Sequence, residues 1–364
     1  MNKLIRLLNT KFIFSKIPKK ETVILDEKTA KYYNHILKRK NYFLLHTRWE
    51  IIYFKPFLLS FAVWIKNKEY TLLQAYIVTI INIINPKNLI TFTDYDVFFW
   101  NLKSIFKNKK LIIVQHTHRT KKFINSLLKR NVNKKIKIDF FCTWGDYYGK
   151  ALSKKIDAKF IITGSLRNNK MLTNKVIEKK CIVFISKYRE NIQTQKKQKK
   201  DLSTLLPILK EFCEKKKLSL KILSTKIYPE SIKEKKWYSD NFGLGNFKFI
   251  HKLSSNYSYK ISNHYFNFVT IDSSFGYELM ARKKRVVLIF PSFFEINRSN
   301  FRKDVLWTQK LKKKILFNIF SKLLFNNKLF EQLYQNSIKN IIEFDSNNKR
   351  LLEIFKNENI NIFK

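Results

Sequence analysis

Short runs rich in β-branched and aromatic residues alternate along the chain with segments whose apolar positions repeat at helical spacing. In the first half, Thr22–Leu25, Tyr42–Leu45, Leu89–Thr93, Leu111–Gln115, Asp139–Thr143 and Lys159–Thr163 predict strands. Helices such as Thr71–Ile84 and Asp96–Phe106 fall between them. Runs such as KLIIVQ lack polar alternation, the mark of a sheet covered on both faces. The polar stretch Tyr188–Ser203 reads as a solvated loop near a domain junction. Around it lies a second series of strands, Cys181–Ser186, Ser219–Leu223, Phe247–His251, Phe266–Asp272 and Val286–Phe290, and from Lys303 onward the pattern is helical. The fold class is therefore α/β: two Rossmann-like, doubly wound domains facing a cleft, with C-terminal helices. The boundaries fall at residues 1–175, 176–335 and 336–364.

A length of 364 residues suits two domains of about 150 to 200 residues each. The longest uncharged run, Tyr70–Asn85, is short for a bilayer span of about 20 residues and reads as a buried helix. Basic residues within the first apolar segment, and no small-residue cleavage site, make the N-terminus a poor signal peptide, so the expected compartment is the cytoplasm. Cys142, Cys181 and Cys213 show no metal or redox spacing. The net charge of +46 invites an anionic partner, yet Lys, Asn, Ile, Phe and Tyr share A/T-rich codons, and codon drift onto solvated faces explains much of it.

With six glycines in the chain, each survivor is expected to have a backbone role, at Gly145, Gly149, Gly164, Gly243, Gly245 and Gly276. Gly276 lies in VTIDSSFGYELMARKKRVVLIF, a strand–turn–helix–strand unit. If Ser274 caps this helix, its hydroxyl and the free amides of the first turn, with Ser273, form an anion site at the positive dipole end. Gly276 would let a ligand approach, and Glu278, one turn further on, could accept hydrogen bonds from two ribose hydroxyls. The bland alternative is a capped helix with a solvated acid. Other strand ends shift the balance. Ser186 ends the first strand of the second domain and Lys187 and Arg189 follow it, His116, His118 and Arg119 follow Leu111–Gln115, and Asp94 and Asp96 follow Leu89–Thr93. An acid, imidazoles and cations at successive strand ends suit a phosphate-bearing ligand.

The blocks TFTDYDVFFWNLKSIFKNKKLIIVQHTHR, CTWGDYYGKAL with FIITGSLRNN, CIVFISKYRE, KEKKWYSDNFG and IDSSFGYELMARKKRVVLI resemble, in this order, a family of bacterial surface carbohydrate biosynthesis proteins similar to GT-B glycosyltransferases. The resemblance covers roughly Leu89–Pro291. It departs from the family at Gln115, His116, Thr117 and His118, where such proteins often read Gln-Asn-Gly. The resemblance implies transfer of a sugar from a nucleotide-sugar bound by the C-terminal domain to a cell-surface glycan or lipid-linked acceptor on the N-terminal one. An acceptor hydroxyl must then lose its proton, for which Asp94 is the first candidate and His116 the second. Arg119, Ser186, Lys187, Arg189 and the Ser273–Ser274 helix start would meet the leaving phosphate. No metal and no cofactor beyond the donor is expected. Capping for Asp94 and turn stabilisation for His116 are the plainer roles. His35, His46, His251 and His264 read as structural or surface residues.

Trp237 and Tyr238 could stack on a base or sugar, whereas most other aromatics fall in core runs. A nucleic-acid role is disfavoured, since no recognition module is present. A non-catalytic scaffold of envelope polysaccharide assembly and a glycerophosphate-type transferase remain as alternatives. The charge also suggests peripheral contact with the anionic inner face of the cell membrane.

Overall fold

The computed structural model describes residues 10–34, 36–129, 135–169, 177–242, 247–271, 273–289, 307–308, 311–333 and 338–363. His35, Gly243, Gly245, Asp272, Phe290 and the start of the stretch from Lys303 lie outside the described residues. The strands are β1 (Lys11–Ile13), β2 (Thr22–Leu25), β3 (Phe43–Leu45), β4 (Ile51–Tyr53), β5 (Asn88–Thr91), β6 (Lys110–Val114), β7 (Ile136–Thr143) and β8 (Ile156–Ile162). In the second half they are β9 (Glu178–Ile185), β10 (Ser219–Ile227), β11 (Lys248–Lys252), β12 (Tyr265–Ile271), β13 (Arg285–Ile289) and β14 (Trp307–Thr308).

Among the described residues two six-stranded sheets result, ordered β3-β2-β5-β6-β7-β8 and β11-β10-β9-β12-β13-β14, besides the small pair β1-β4. Every ladder is parallel. Parallel neighbours need crossovers, and the helices that supply them cover both faces; hence strands such as β2, β5 and β13 are buried throughout. The chain winds outward from β2 to β3 and then reverses to β5. In the second sheet it winds from β9 through β10 to β11 and reverses to β12. Strand order reverses between β2 and β5 and between β9 and β12, and crevices open at the carboxyl ends of such strands.

The expected buried helix is Leu72–Ile84, opened by a capping box in which Gln74 N–H donates to Thr71 Oγ1 (3.2 Å) and Thr71 N–H to Gln74 Oε1 (2.8 Å). The expected loop at Tyr188–Ser203 is a correction, because a helix runs over Ile192–Lys215. Its apolar stripe, Leu202, Leu205, Leu206, Leu209 and Phe212, is fully buried but begins only at Leu202. The first turns are polar and give no periodic signal.

The C-terminal segment ties the domains together. Asn340 and Glu343 carbonyls press on Gly145 and Gly164, where a Cβ would collide with them; Gly164 also has φ +65°, which favours glycine. These glycines thus admit a crossing backbone. Beyond it the helix Lys349–Asn357 and the residues after it return to the first sheet, and Leu351, Phe355, Ile360 and Ile362 share a core with Ile24, Ile90 and Ile112.

Candidate functional site

The carboxyl ends of β6 and β8 face those of β9, β11 and β12 across a cleft of about 390 Å³, within the range of small-ligand sites. The first domain lines it with Tyr32, His116, Thr117 and Arg167, and the second with Arg189, Thr225, Lys252, Tyr259, Ser273, Ser274 and Glu278, among others. A larger hollow of about 640 Å³, around Asn101, Lys107 and Lys135, lies at the opposite end of the first sheet, where β7 begins, and gathers only lysines and neutral groups.

The helix Ser274–Ala281 is capped by Ser273, whose Oγ accepts from Phe275 N–H at 3.3 Å. Ser273 therefore takes the cap expected of Ser274. The Ser274 hydroxyl instead meets Thr117 Oγ1 across the cleft at 2.6 Å. Gly276 also departs from expectation: a Cβ there would lie 2.7 Å from Thr270 Cγ2 and 3.1 Å from Leu288 Cδ2, so the missing side chain seats the helix on β12 and β13 rather than admitting a ligand. Glu278 lines the cleft but is only 1% exposed. Its carboxylate accepts hydrogen bonds from Tyr259 O–H (2.8 Å) and from the Ser165 hydroxyl, and its carbonyl accepts from Asn168 Nδ2 (2.7 Å). His118 stacks on Tyr277 with centroids 4.5 Å apart. Loops of the first domain thus grip this helix at Ser274, Tyr277 and Glu278.

Asp94 and Arg119 are brought to each other rather than to the cleft. Asp94 is 0% exposed, and Arg119 donates from Nε to Oδ2 (2.9 Å) and from Nη2 to Oδ1 (2.5 Å). His116 N–H also donates to Asp94 Oδ1 (3.3 Å), so the pair braces the turn that carries His116. Asp96 caps the helix Val97–Ile105, accepting from Phe98 N–H at 3.0 Å. Ser186 is buried with its hydroxyl 2.9 Å from Tyr238 Oη, and the Lys187 amide approaches the same oxygen at 3.4 Å. Arg189 is exposed at the cleft. Tyr238 is buried in the second core and Trp237, half-buried, packs edge-to-face on Tyr188 and Phe242; neither is among the described residues that line the cleft. Among the other histidines, His46 pairs with Glu27 and His251 with Ser231.

Sequence reasoning missed Arg167 and Lys252: Lys252 is the last residue of β11, and Arg167 lies in the short helix Leu166–Asn169 that follows β8, close to the strand-end position that singled out Lys187 and Arg189. Arg167 lies over the rings of Tyr32 (4.9 Å) and Tyr259 (5.2 Å), and its Nε is buried without a hydrogen-bond partner. Burial opposes its charge, but Tyr259 and Glu278 outweigh that and keep the guanidinium ionised. Burial, and then Arg167, lower the pKa of Lys252. His116 Nδ1 lies 2.9 Å from Tyr33 Oη, and burial followed by the Arg167 charge pushes its pKa down to about 4.

That depression has a sign. The unfolded chain protonates His116 near 6.5, whereas the folded protein resists until about 4, so stability is lost as pH falls through that window. Denaturant unfolding at pH 7 and pH 4.5 is expected to show wild type losing about 2 kcal/mol more than His116→Gln. Parallel losses in the two proteins would contradict a neutral, buried imidazole.

The same architecture occurs in solved structures. A "putative UDP-N-acetylglucosamine 2-epimerase" from Listeria monocytogenes aligns with TM-score 0.56 and 12% identity over 93% of this chain and 96% of that one. The UDP-GlcNAc 2-epimerase of Methanocaldococcus jannaschii, in complex with UDP-GlcNAc and UDP, gives 0.52 and 13% over 92% and 99%. Sucrose-phosphate synthase from Thermosynechococcus elongatus gives 0.51 and 9% over 93% and 99%. At these identities what is shared is the fold, a GT-B-like pair of α/β domains. The sequence matches no curated protein. Residues 112–359 match a family model described as "putative O-antigen biosynthesis protein", and by that match over most of its length the chain belongs to this family.

Proposed function

We propose that the protein is a metal-independent glycosyltransferase that moves a sugar from a nucleotide-activated donor to a cell-surface glycan or lipid-linked acceptor. The observation that carries this reading is the charge of the cleft. Arg167, Arg189 and Lys252 line it, while Glu278, the one carboxylate among its described lining residues, is already hydrogen-bonded by two hydroxyls. Clustered cations with unfilled donors call for an anion such as a diphosphate. Membership in an O-antigen biosynthesis family and a fold shared with UDP-sugar-binding proteins support the same class of ligand.

In this reading the nucleotide's phosphates lie against Arg189, Lys252 and the amides at the start of Ser274–Ala281. The Ser274–Thr117 hydrogen bond yields to the ligand. Each carboxylate oxygen of Glu278 has a second lone pair, open to a ribose hydroxyl. His116, neutral because its pKa is pushed down to about 4, keeps Nδ1 on Tyr33 and uses Nε2 to take the acceptor proton. The acceptor oxygen bonds to the anomeric carbon as the bond to the phosphate oxygen breaks, and its electron pair leaves on the nucleotide, where the three cations meet the charge. Asp94 serves through Arg119, holding the His116 turn. No helix among the described residues is long and apolar enough to cross a membrane.

A thermal-shift screen against UDP, GDP, CDP and CMP and their sugar derivatives tests the binding half. At least one is expected to raise the melting temperature, by about 2.7 kcal/mol of stabilisation at a hundredfold excess over Kd, and Arg189→Ala is expected to weaken the effect. No shift with any of them would contradict the proposal. Conversion of the donor's sugar without acceptor would mark the cleft as an epimerase's instead.

A further inference from the structure

The N-terminal domain carries an apolar surface that the cleft does not use. The helix Phe54–Lys66 buries Pro56 and Ser60 on one side, yet Phe54, Leu58, Leu59, Trp64 and Ile65 are exposed, Ile65 to 69%. Surface helices normally turn polar residues outward. Here Phe54, Leu58 and Ile65 form an outward stripe. It continues onto the end of β1, where Phe14, 76% exposed, has its ring centroid 5.0 Å from that of Phe54. Phe12 lies 6.3 Å from both Phe54 and Phe57, Phe57 lies 5.2 Å from Phe61, and Phe61 lies 6.3 Å from Trp64. These ring contacts make one continuous surface, and continuous apolar surface of this kind marks a partner.

The surrounding charge selects the partner. Lys11, Lys16, Lys55, Lys66 and Lys68 are exposed around the rings, and Glu69 is the one acid within residues 11–20 and 54–70. A second copy, itself carrying +46, would be repelled. An anionic bilayer fits both features: aromatic and aliphatic side chains enter the headgroup–acyl boundary while lysine stems lie along it and place their ammonium groups among lipid phosphates. At 13 residues the helix lies on a membrane rather than spanning it. We propose that Phe54–Lys66, together with the end of β1, docks the N-terminal domain on an anionic lipid surface. The loop before β4, the strand that runs directly into this helix, carries Arg48, which pairs with Asp26 at the end of β2, and Asp26 in turn accepts from Thr93 Oγ1 (2.8 Å) beside Asp94. The docking surface therefore grows from the strand ends that hold the His116 turn, and a lipid-linked acceptor would arrive at the cleft from the leaflet. That last link rests on the transferase reading, whereas the docking does not.

Vesicle flotation of the full chain tests it, with phosphatidylcholine alone or mixed with phosphatidylglycerol, at low and high salt. Wild type is expected to float with the anionic vesicles and to show a blue shift in the part of its emission lost in Trp64→Phe. The double variant Leu58→Glu/Ile65→Glu, altered only at exposed positions, is expected to bind at least about tenfold more weakly, with unchanged melting temperature. Equal binding by the double variant would overturn the proposal by showing that charge alone attracts the protein. So would absence of wild-type binding to anionic vesicles, or a wild-type dimer abolished by the same substitutions. Nucleotide-induced stabilisation measured in parallel reports on the cleft alone, so failure of one reading is distinguishable from failure of the other.

Discussion

Replacing Arg119 with alanine is expected to cost about 3–5 kcal/mol of folding stability, because it strands a buried charge. Asp94 is 0% exposed, and both its oxygens receive Arg119. The guanidinium is further held over the rings of Tyr95 (4.6 Å) and Phe123 (5.0 Å). Removing the cation leaves the carboxylate with the His116 amide at 3.3 Å and the Tyr148 hydroxyl, two neutral donors that do not balance its charge. It must then either protonate or draw in water. The double variant Asp94→Asn/Arg119→Gln removes both charges and is expected to recover most of the loss, since uncharged partners carry a far smaller desolvation penalty. Urea unfolding with an unchanged m-value distinguishes a stability loss from a change in compactness. A loss below about 1 kcal/mol for Arg119→Ala would show that the pair is solvated and interchangeable.

Arg167→Ala is expected to do the opposite: little change in stability, and a large loss in ligand affinity. Its guanidinium rests on two tyrosine rings and leaves Nε unpaired, and its charge works against Lys252 and His116. Deleting it removes cation–π contacts and the attraction to Glu278 but also relieves that repulsion and the burial of a charge, so the opposing effects largely offset each other. In the complex, one or two charge-assisted hydrogen bonds to an anion disappear, about 1.5–3 kcal/mol each, or roughly 10- to 100-fold per bond. Arg167→Lys is not expected to rescue, because an ammonium cannot lie flat between Tyr32 and Tyr259 and still reach a ligand with a planar fork. Calorimetric titration with the nucleotide that most raises the melting temperature checks this. Unchanged affinity with lowered stability would assign Arg167 to scaffolding.

Much of the fold could be read from the chain because parallel, doubly covered strands declare themselves as unbroken apolar runs, KLIIVQ and RVVLIF being plain cases. β1, β4 and β14 escaped, since at three, three and two residues they are too short to show any periodicity. The helix Ile192–Lys215 was obscured because its opening turns are polar and its buried stripe starts late. Strand ends were legible, and with them Asp94, His116, Arg119, Arg189 and Glu278 as a group. Which of these would face one another was not. Arg119 stands 25 residues from Asp94, and only the adjacency of β5 and β6 brings them together, with the pair consuming the carboxylate first considered as a base. Gly276 shows the same limit: a glycine at a helix start serves ligand approach or sheet packing equally well until the neighbours Thr270 and Leu288 are placed. Arg167 was hidden in GSLRNN, where Gly164 drew attention as a turn and the cation three residues later did not.

The most direct measurement is a crystal structure of the protein soaked with that same nucleotide. The expected result places its phosphates within hydrogen-bond reach of Arg189, Lys252 and the first amides of Ser274–Ala281, with the Thr117–Ser274 contact opened and a ribose hydroxyl on Glu278. Density for the nucleotide elsewhere on the molecule, with that contact closed and the cations around it unvisited, would contradict the account.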